Sequence, residues 1–160
     1  LEILDPEDRL YWSKKLNILP LFVPDGIFLT NVEVTEEVRE VETKESKRRH
    51  AQWVKGGKKG KQPQKEMRPL IKQQLKMNGV AYVSDGGSDQ RLQLIIDFHN
   101  KLKGETVRVP YSGEPASFME RLLPEIRFDP FEGGRIAGRE VTRFTFYLNS
   151  SPPKVPEDEG

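Results

Sequence analysis

The chain has 160 residues, 35% of them hydrophobic and 32% charged, which fits one compact domain with polar appendages. It contains no cysteine, so disulfides, a thiolate zinc site, an iron–sulfur cluster and a cysteine nucleophile are excluded. No apolar run approaches the roughly 18–20 residues of a membrane-spanning helix, so the sequence predicts no membrane partner. Without a hydrophobic signal segment it predicts an intracellular protein, and a start at Leu1 leaves the nucleus or an organelle open.

The charge is divided into three blocks. Residues 1–43 have a net charge of −6, residues 44–76 have +10 and residues 77–160 have −3. A local basic block creates a local field that attracts polyanions such as DNA or RNA. The alternative is a solvated tether, or a block that pairs with acidic residues 33–42 of the same chain.

The first third of the chain predicts a helix and a β-hairpin. Asp5 can cap a helix that runs to about residue 16, because Pro6 suits its first position. Residues 20–23 and 27–34 are predicted strands on either side of a Pro24-Asp25-Gly26 turn.

Residues 35–54 fit either a helix or an extension of that strand, and the helix is favoured. Thr35 can cap it, and few β-branched residues follow Val41. Residues 55–65 are rich in Gly, Lys and Gln and are predicted to form a flexible loop.

The remaining elements form an alternating series. The apolar face of the 89–103 helix is predicted to consist of Leu92, Ile95, Ile96, His99 and Leu102. Helices are predicted at 68–77, 89–103 and 115–123, and strands at 80–83, 106–109, 126–128 and 140–149.

Together these elements predict an α+β fold, or an α/β fold. It has a small mixed sheet with a strand–helix–strand unit, an N-terminal helix and hairpin, and a basic flexible insertion. The predicted division is 1–43 for the N-terminal part of the core, 44–66 for the insertion, 67–149 for the α/β core and 150–160 for a disordered tail.

The turn between strand 80–83 and helix 89–103 is one candidate ligand site. Glycines let a backbone approach a ligand closely, and amides at a helix start can hold an anion. The sequence lacks a P-loop and a GxGxxG pattern there, so a plain turn with a helix cap is the alternative. The residues are Asp85, Gly86, Gly87, Ser88 and Asp89.

The basic block is a candidate nucleic-acid contact, in which lysines neutralise phosphates and Trp53 stacks on a base or anchors in the core. One face of the terminal strand adds basic and aromatic groups of the kind that RNA-binding sheets display, unless it is merely a solvated face. The candidates are Lys47, Arg48, Arg49, Trp53, Lys55, Lys58, Lys59, Lys61, Lys65, Lys72, Lys76, Arg139, Arg143 and Tyr147.

The sequence favours a non-catalytic protein over an enzyme, since it has no recognised catalytic motif and His99 has no suitably spaced partner. We expect no cofactor and no metal. The predicted function is a subunit of a larger nucleic-acid-associated assembly that binds DNA or RNA and other protein subunits. Two alternatives stay open: a scaffold module with an acidic partner protein, and a nucleotide- or metal-dependent enzyme at residues 85–89.

Overall fold

The computed structural model describes residues 12–151. Within this range the chain forms two compact units. Residues 36–72 make up the ribbon unit, and residues 12–35 with 73–151 make up the sheet unit. Strands β1 (Ile27–Glu42) and β2 (Met67–Ala81) contribute residues to both units.

The described helices and strands form an α+β fold. The main sheet has the order β1-β2-β7-β5, with β6 also paired to β7, and β3 pairs with β4 in a separate small sheet. Besides β1 and β2, the elements are α1 (Trp12–Ile18), a 3-10 turn (Leu19–Leu21), α2 (Lys44–Lys55), α3 (Ser88–Gly104), β3 (Thr106–Arg108), β4 (Pro115–Ser117), β5 (Arg127–Phe128), β6 (Glu132–Ile136) and β7 (Arg139–Asn149).

The centre of the sheet unit is the antiparallel pair formed by β2 and β7. Its register runs from Gln74 opposite Asn149 to Ala81 opposite Thr142. Alternate residues of the two strands therefore share one buried face. At Gly79 a Cβ atom would lie 2.5 Å from the Phe144 ring, so the ring occupies the space that a side chain would need.

Helix α3 covers this buried face. The Phe98 ring lies 5.7 Å from the Phe146 ring and 6.0 Å from the Phe144 ring, between centroids, which is within the range of favourable aromatic pairs. The surrounding core contains Trp12, Leu19, Phe22, Ile27, Leu75, Met77, Ala81, Ile95, Leu102, Phe118, Leu122, Ile126 and Leu148.

The α+β prediction is confirmed, as are the helix at 89–103 and the strand at 140–149. The predicted apolar face of α3 was partly wrong. Ile95 and Leu102 are buried, but Leu92 and Ile96 are exposed and Phe98 occupies the centre. Arg91 is also buried, and it donates to Thr142 Oγ1 at 3.0 Å and to the Gly86 carbonyl at 3.2 Å.

Three predicted elements were wrong. Residues 20–23 fall in the 3-10 turn and the loop after it, since Pro20 occupies the start of that turn. Residues 68–77 belong to strand β2, where pairing with β7 overrides the helix propensity of Lys, Gln and Leu. Residues 115–123 form β4 and a turn, and an isolated bridge joins Leu122 to Ser150.

The ambiguous segment 35–54 contains both alternatives in succession. Strand β1 continues to Glu42, and α2 begins at Lys44. Residues 56–66 have no regular secondary structure. The predicted helix start at Asp5 and most of the predicted tail, residues 152–160, lie outside the described residues.

In place of the predicted strand–helix–strand unit, the elements β2, α3 and β3 follow one another along the chain, but β3 does not join the main sheet. It pairs antiparallel with β4, with Val107 opposite Ala116. Strands β2, β5 and β6 each pair antiparallel with β7, as β3 does with β4.

Phe98→Ala is expected to lower the free energy of unfolding by about 3–5 kcal/mol, because it opens a cavity between α3 and the sheet. Ile96→Ala, on the same helix but 40% exposed, is expected to cost about 1 kcal/mol or less. Urea denaturation of the two variants measures the difference. Equal losses would contradict the orientation of α3.

Candidate nucleic-acid interface

Helix α2 begins where β1 ends, at a capped turn. Thr43 is the N-cap, and its side-chain oxygen accepts from the Ser46 amide at 3.1 Å. Glu45 lies in the first turn and Lys55 in the last, the placement that the helix dipole favours. The residues around Thr43 therefore fix the start of the helix.

One face of α2 is held by polar contacts inside the ribbon unit. Buried Ser46 donates from Oγ to Glu42 Oε2 at 3.0 Å and accepts from the Glu66 amide at 3.0 Å. The Thr43 amide donates to the Glu66 carbonyl at 3.0 Å. These bonds tie the end of β1, the first turn of α2 and the residue before β2 together.

Arg49 and Trp53 extend the same face. Arg49 Nη2 lies 2.9 Å from Glu66 Oε1, and this hydrogen bond raises the pKa of the Arg49 guanidinium. The Trp53 ring lies 5.7 Å from the His50 ring, and its Nε1 donates to the Gly60 carbonyl at 3.4 Å. Trp53 thus contacts the loop that follows the helix and is not part of the buried core.

The opposite face of α2 is exposed and basic. At 100° per residue its members fall within about 100° of arc. From the first to the last they span about 16 Å. We call this set the basic face, and it consists of Lys44, Lys47, Arg48, Ala51 and Lys55.

The loop after α2 adds four exposed lysines, Lys58, Lys59, Lys61 and Lys65. The Lys58 amide donates to the Trp53 carbonyl at 3.0 Å. Lys58, Gly57 and Gly60 have positive φ angles, so the backbone turns back sharply after the helix.

The predicted basic block is therefore only partly brought together. Lys47, Arg48 and Lys55 share the basic face, whereas Arg49 and Trp53 lie on the opposite face. Lys72 lies on β2 in the ribbon unit, where it contributes less than Arg39 to the lowered pKa of Glu37. Sequence reasoning missed Lys44 and Ala51, which a helical wheel starting at residue 44 would have placed beside the others.

The candidates on the terminal strand lie in the sheet unit with Lys76. Lys76 Nζ is 5.9 Å from the Tyr147 ring centroid, and the Arg139 guanidinium is 5.5 Å from that of Tyr82. The Tyr147 hydroxyl donates to Asp129 Oδ2 at 2.8 Å, and this hydrogen bond raises the pKa of Tyr147. These groups thus contact neighbours within the sheet unit.

Arg143 also packs within the sheet unit. A Cβ atom on Gly134 would lie 2.9 Å from Arg143 Nε, so the guanidinium rests on the bare backbone of β6. Glu132 is its register partner on that strand. The cations of the sheet face that were predicted as candidates thus pack against residues of the sheet unit.

The turn at residues 85–89 is organised by contacts within the turn and with α3. Asp85 has a positive φ, and the Gly87 amide donates to Gln90 Oε1 at 3.0 Å. A Cβ atom on Gly86 would overlap Val83 and Gln90. The glycine at 86 is thus explained by packing, with Ser88 and Asp89 in the first turn of α3.

No group of three or more His, Cys, Asp or Glu side chains in residues 12–151 is arranged to hold a metal ion. No helix in the same range is long and apolar enough to cross a membrane.

Comparisons with known proteins provide little further information. No protein-family model matches the chain, and no curated protein matches it. A solved structure described as the tail of an empty GTA particle, computed with helical refinement in C6 symmetry, aligns over 78% of each chain at 13% identity and a TM-score of 0.24. At that score the likeness supports no statement about fold or function.

Ser46→Ala is expected to destabilise the start of α2 by about 1–3 kcal/mol, because the buried Ser46 hydroxyl makes two hydrogen bonds, one to Glu42 Oε2 and one from the Glu66 amide. Hydrogen exchange of the α2 amides should accelerate by about one to two orders of magnitude. Ser112→Ala, at an exposed hydroxyl in the sheet unit, is the control, and α2 exchange should not change. Unaltered α2 exchange in Ser46→Ala would contradict the role of Ser46.

Gly86→Ala is expected to lower the free energy of unfolding by about 1–3 kcal/mol through overpacking. Gly104→Ala lies at the other end of α3, where a Cβ atom meets nothing within 4 Å among the described residues, and should be nearly neutral. Thermal unfolding compares the two variants. A neutral Gly86→Ala would show that the glycine serves something other than packing.

Proposed function

We propose that this protein is a non-catalytic subunit of a nucleic-acid-associated assembly and that the ribbon unit contacts the phosphate backbone of DNA or RNA. The contact consists of the basic face of α2 and the lysine-rich loop that follows it. The proposal implies an intracellular location and is compatible with the nucleus or an organelle.

The distribution of charge between the two units carries this proposal. Residues 36–72 contain 12 basic and 6 acidic residues, for a net charge of +6. Residues 12–35 and 73–151 contain 12 of each, for a net charge of zero. The whole-chain value of +1 hides this concentration, and a concentrated positive field is what attracts a polyanion.

The geometry of the basic face suits phosphates better than bases. Ala51 lies among the cationic members of the basic face, and all of them are exposed. No aromatic residue is on this face, since Trp53 is on the opposite side of α2 and donates to the Gly60 carbonyl. Without a ring to stack on bases, binding is expected to depend on salt and not on sequence.

The apolar residues of the ribbon unit support membership of an assembly. Among residues 36–72, Ile71 is the only large hydrophobic that is buried, whereas Val38, Val54 and Met67 are exposed. A ribbon and a helix with so small a core gain stability when a partner covers their apolar side chains. We therefore expect other protein subunits to bind this unit.

The triple variant Lys47→Gln, Arg48→Gln and Lys55→Gln tests the contact. Fluorescence anisotropy with labelled single-stranded RNA, single-stranded DNA and duplex DNA over a salt series gives the dependence of log Kd on log salt. Removing three phosphate contacts should weaken binding and reduce the slope by about 2–3.

A matched variant removes the same charge from the sheet unit: Lys76→Gln, Arg139→Gln and Arg143→Gln. This variant should bind nearly as the unaltered protein does. Equal losses in both would indicate a nonspecific charge effect. A loss confined to the second variant would move the contact to the sheet face, and no binding by the unaltered protein at low salt would reject the proposal.

A further inference from the structure

A cleft in the sheet unit lies against α1 and the segment around β4. Its volume is about 570 Å³, within the range of small-molecule sites. Its wall includes three cationic residues, Lys14, Lys15 and Arg121, and two acidic residues, Glu114 and Glu120. Both signs of charge thus border one cavity, whereas the charged residues of the basic face of α2 are all cationic.

Lys15 is the unusual member of this wall, because it is only 6% exposed. Its Nζ donates to the Phe118 carbonyl at 2.7 Å and lies 5.5 Å from the centroid of the Phe118 ring. An ammonium group has three N–H donors, and Phe118 is the one acceptor described for it among residues 12–151. A buried ammonium with so few acceptors is costly to maintain.

The electrostatic surroundings of Lys15 agree with that cost. Burial lowers the pKa of its ammonium from 10.5 to about 8, an effect that Glu120 opposes and Arg121 reinforces. At neutral pH the group still carries a proton most of the time. An additional carboxylate in the cleft would stabilise the charged form and offer the ammonium a further acceptor beside the Phe118 carbonyl.

We propose that this cleft binds a small amino-carboxylate, with the ligand's carboxylate at Lys15 and its ammonium group at Glu114 and Glu120. A simple anion would gain from the three cationic residues but would be repelled by the two glutamates. A ligand that carries both charges complements both parts of the wall. The presence of acidic residues also disfavours a polyanion, so this site is independent of the proposed nucleic-acid contact.

The first experiment uses 6-aminohexanoate as the probe and thermal unfolding as the readout. At about ten times its Kd the probe should raise the melting temperature by about 2–6 °C. Hexanoate lacks the amine and hexylamine lacks the carboxylate, so both should give smaller shifts at the same ionic strength. The proposal is wrong if the probe has no effect or if hexanoate acts equally well.

The second experiment tests the role of Lys15 itself. Lys15→Met keeps the length of the side chain and removes a buried charge, so the protein should remain folded and lose the response to 6-aminohexanoate. Lys103→Met removes an exposed charge outside the cleft and should keep the response. A retained response in Lys15→Met would overturn the assignment of Lys15.

A third readout holds even if Lys15→Met fails to fold. In the unaltered protein, NMR titration of the Lys15 side chain should show its pKa rising when 6-aminohexanoate is added, because the ligand's carboxylate favours the ammonium. A purely structural lysine would show no such change, and an unchanged pKa under saturating probe would contradict the proposal.

Discussion

The structure depends above all on the antiparallel pairing of β2 with β7. These strands come from distant parts of the chain, and their register places Leu75, Met77, Phe146 and Leu148 on one buried face. Helix α3 packs on that face through Phe98. The part of β2 that precedes Gln73 belongs to the ribbon unit.

The two units are stabilised by different kinds of interaction. The sheet unit has a continuous aromatic and aliphatic core, whereas the described ribbon unit relies on hydrogen bonds around Ser46 and the ion pair between Arg49 and Glu66. Those polar contacts occupy one face of α2 and leave the other face for its cationic residues. The same arrangement that orients α2 therefore produces the surface that we propose binds nucleic acid.

How much the sequence predicts depends on how far each element relies on distant partners. Helix α3 and strand β7 have strong periodicity of their own and were predicted. Strand β2 was not predicted at residues 68–77, because Gln73 and Gly79 occupy inward positions and hide the alternation of apolar and polar residues. Its extended conformation also depends on pairing with β7, which the sequence of β2 alone does not reveal. Trp53 and Arg49 were grouped with the basic residues, since the start of α2 at Lys44, which sets its faces, depends on where β1 ends. The buried position of Lys15 had no signal in the sequence, because burial of its ammonium follows from packing against Phe118.

Ultraviolet cross-linking of the full chain to a bound, uniformly labelled nucleic acid, with the attached peptides mapped by mass spectrometry, tests the central claim most directly. The account predicts cross-links concentrated in residues 44–65, on α2 and the loop after it. Cross-links concentrated on β7 and the adjacent part of β2, or an even distribution over both units, would contradict it.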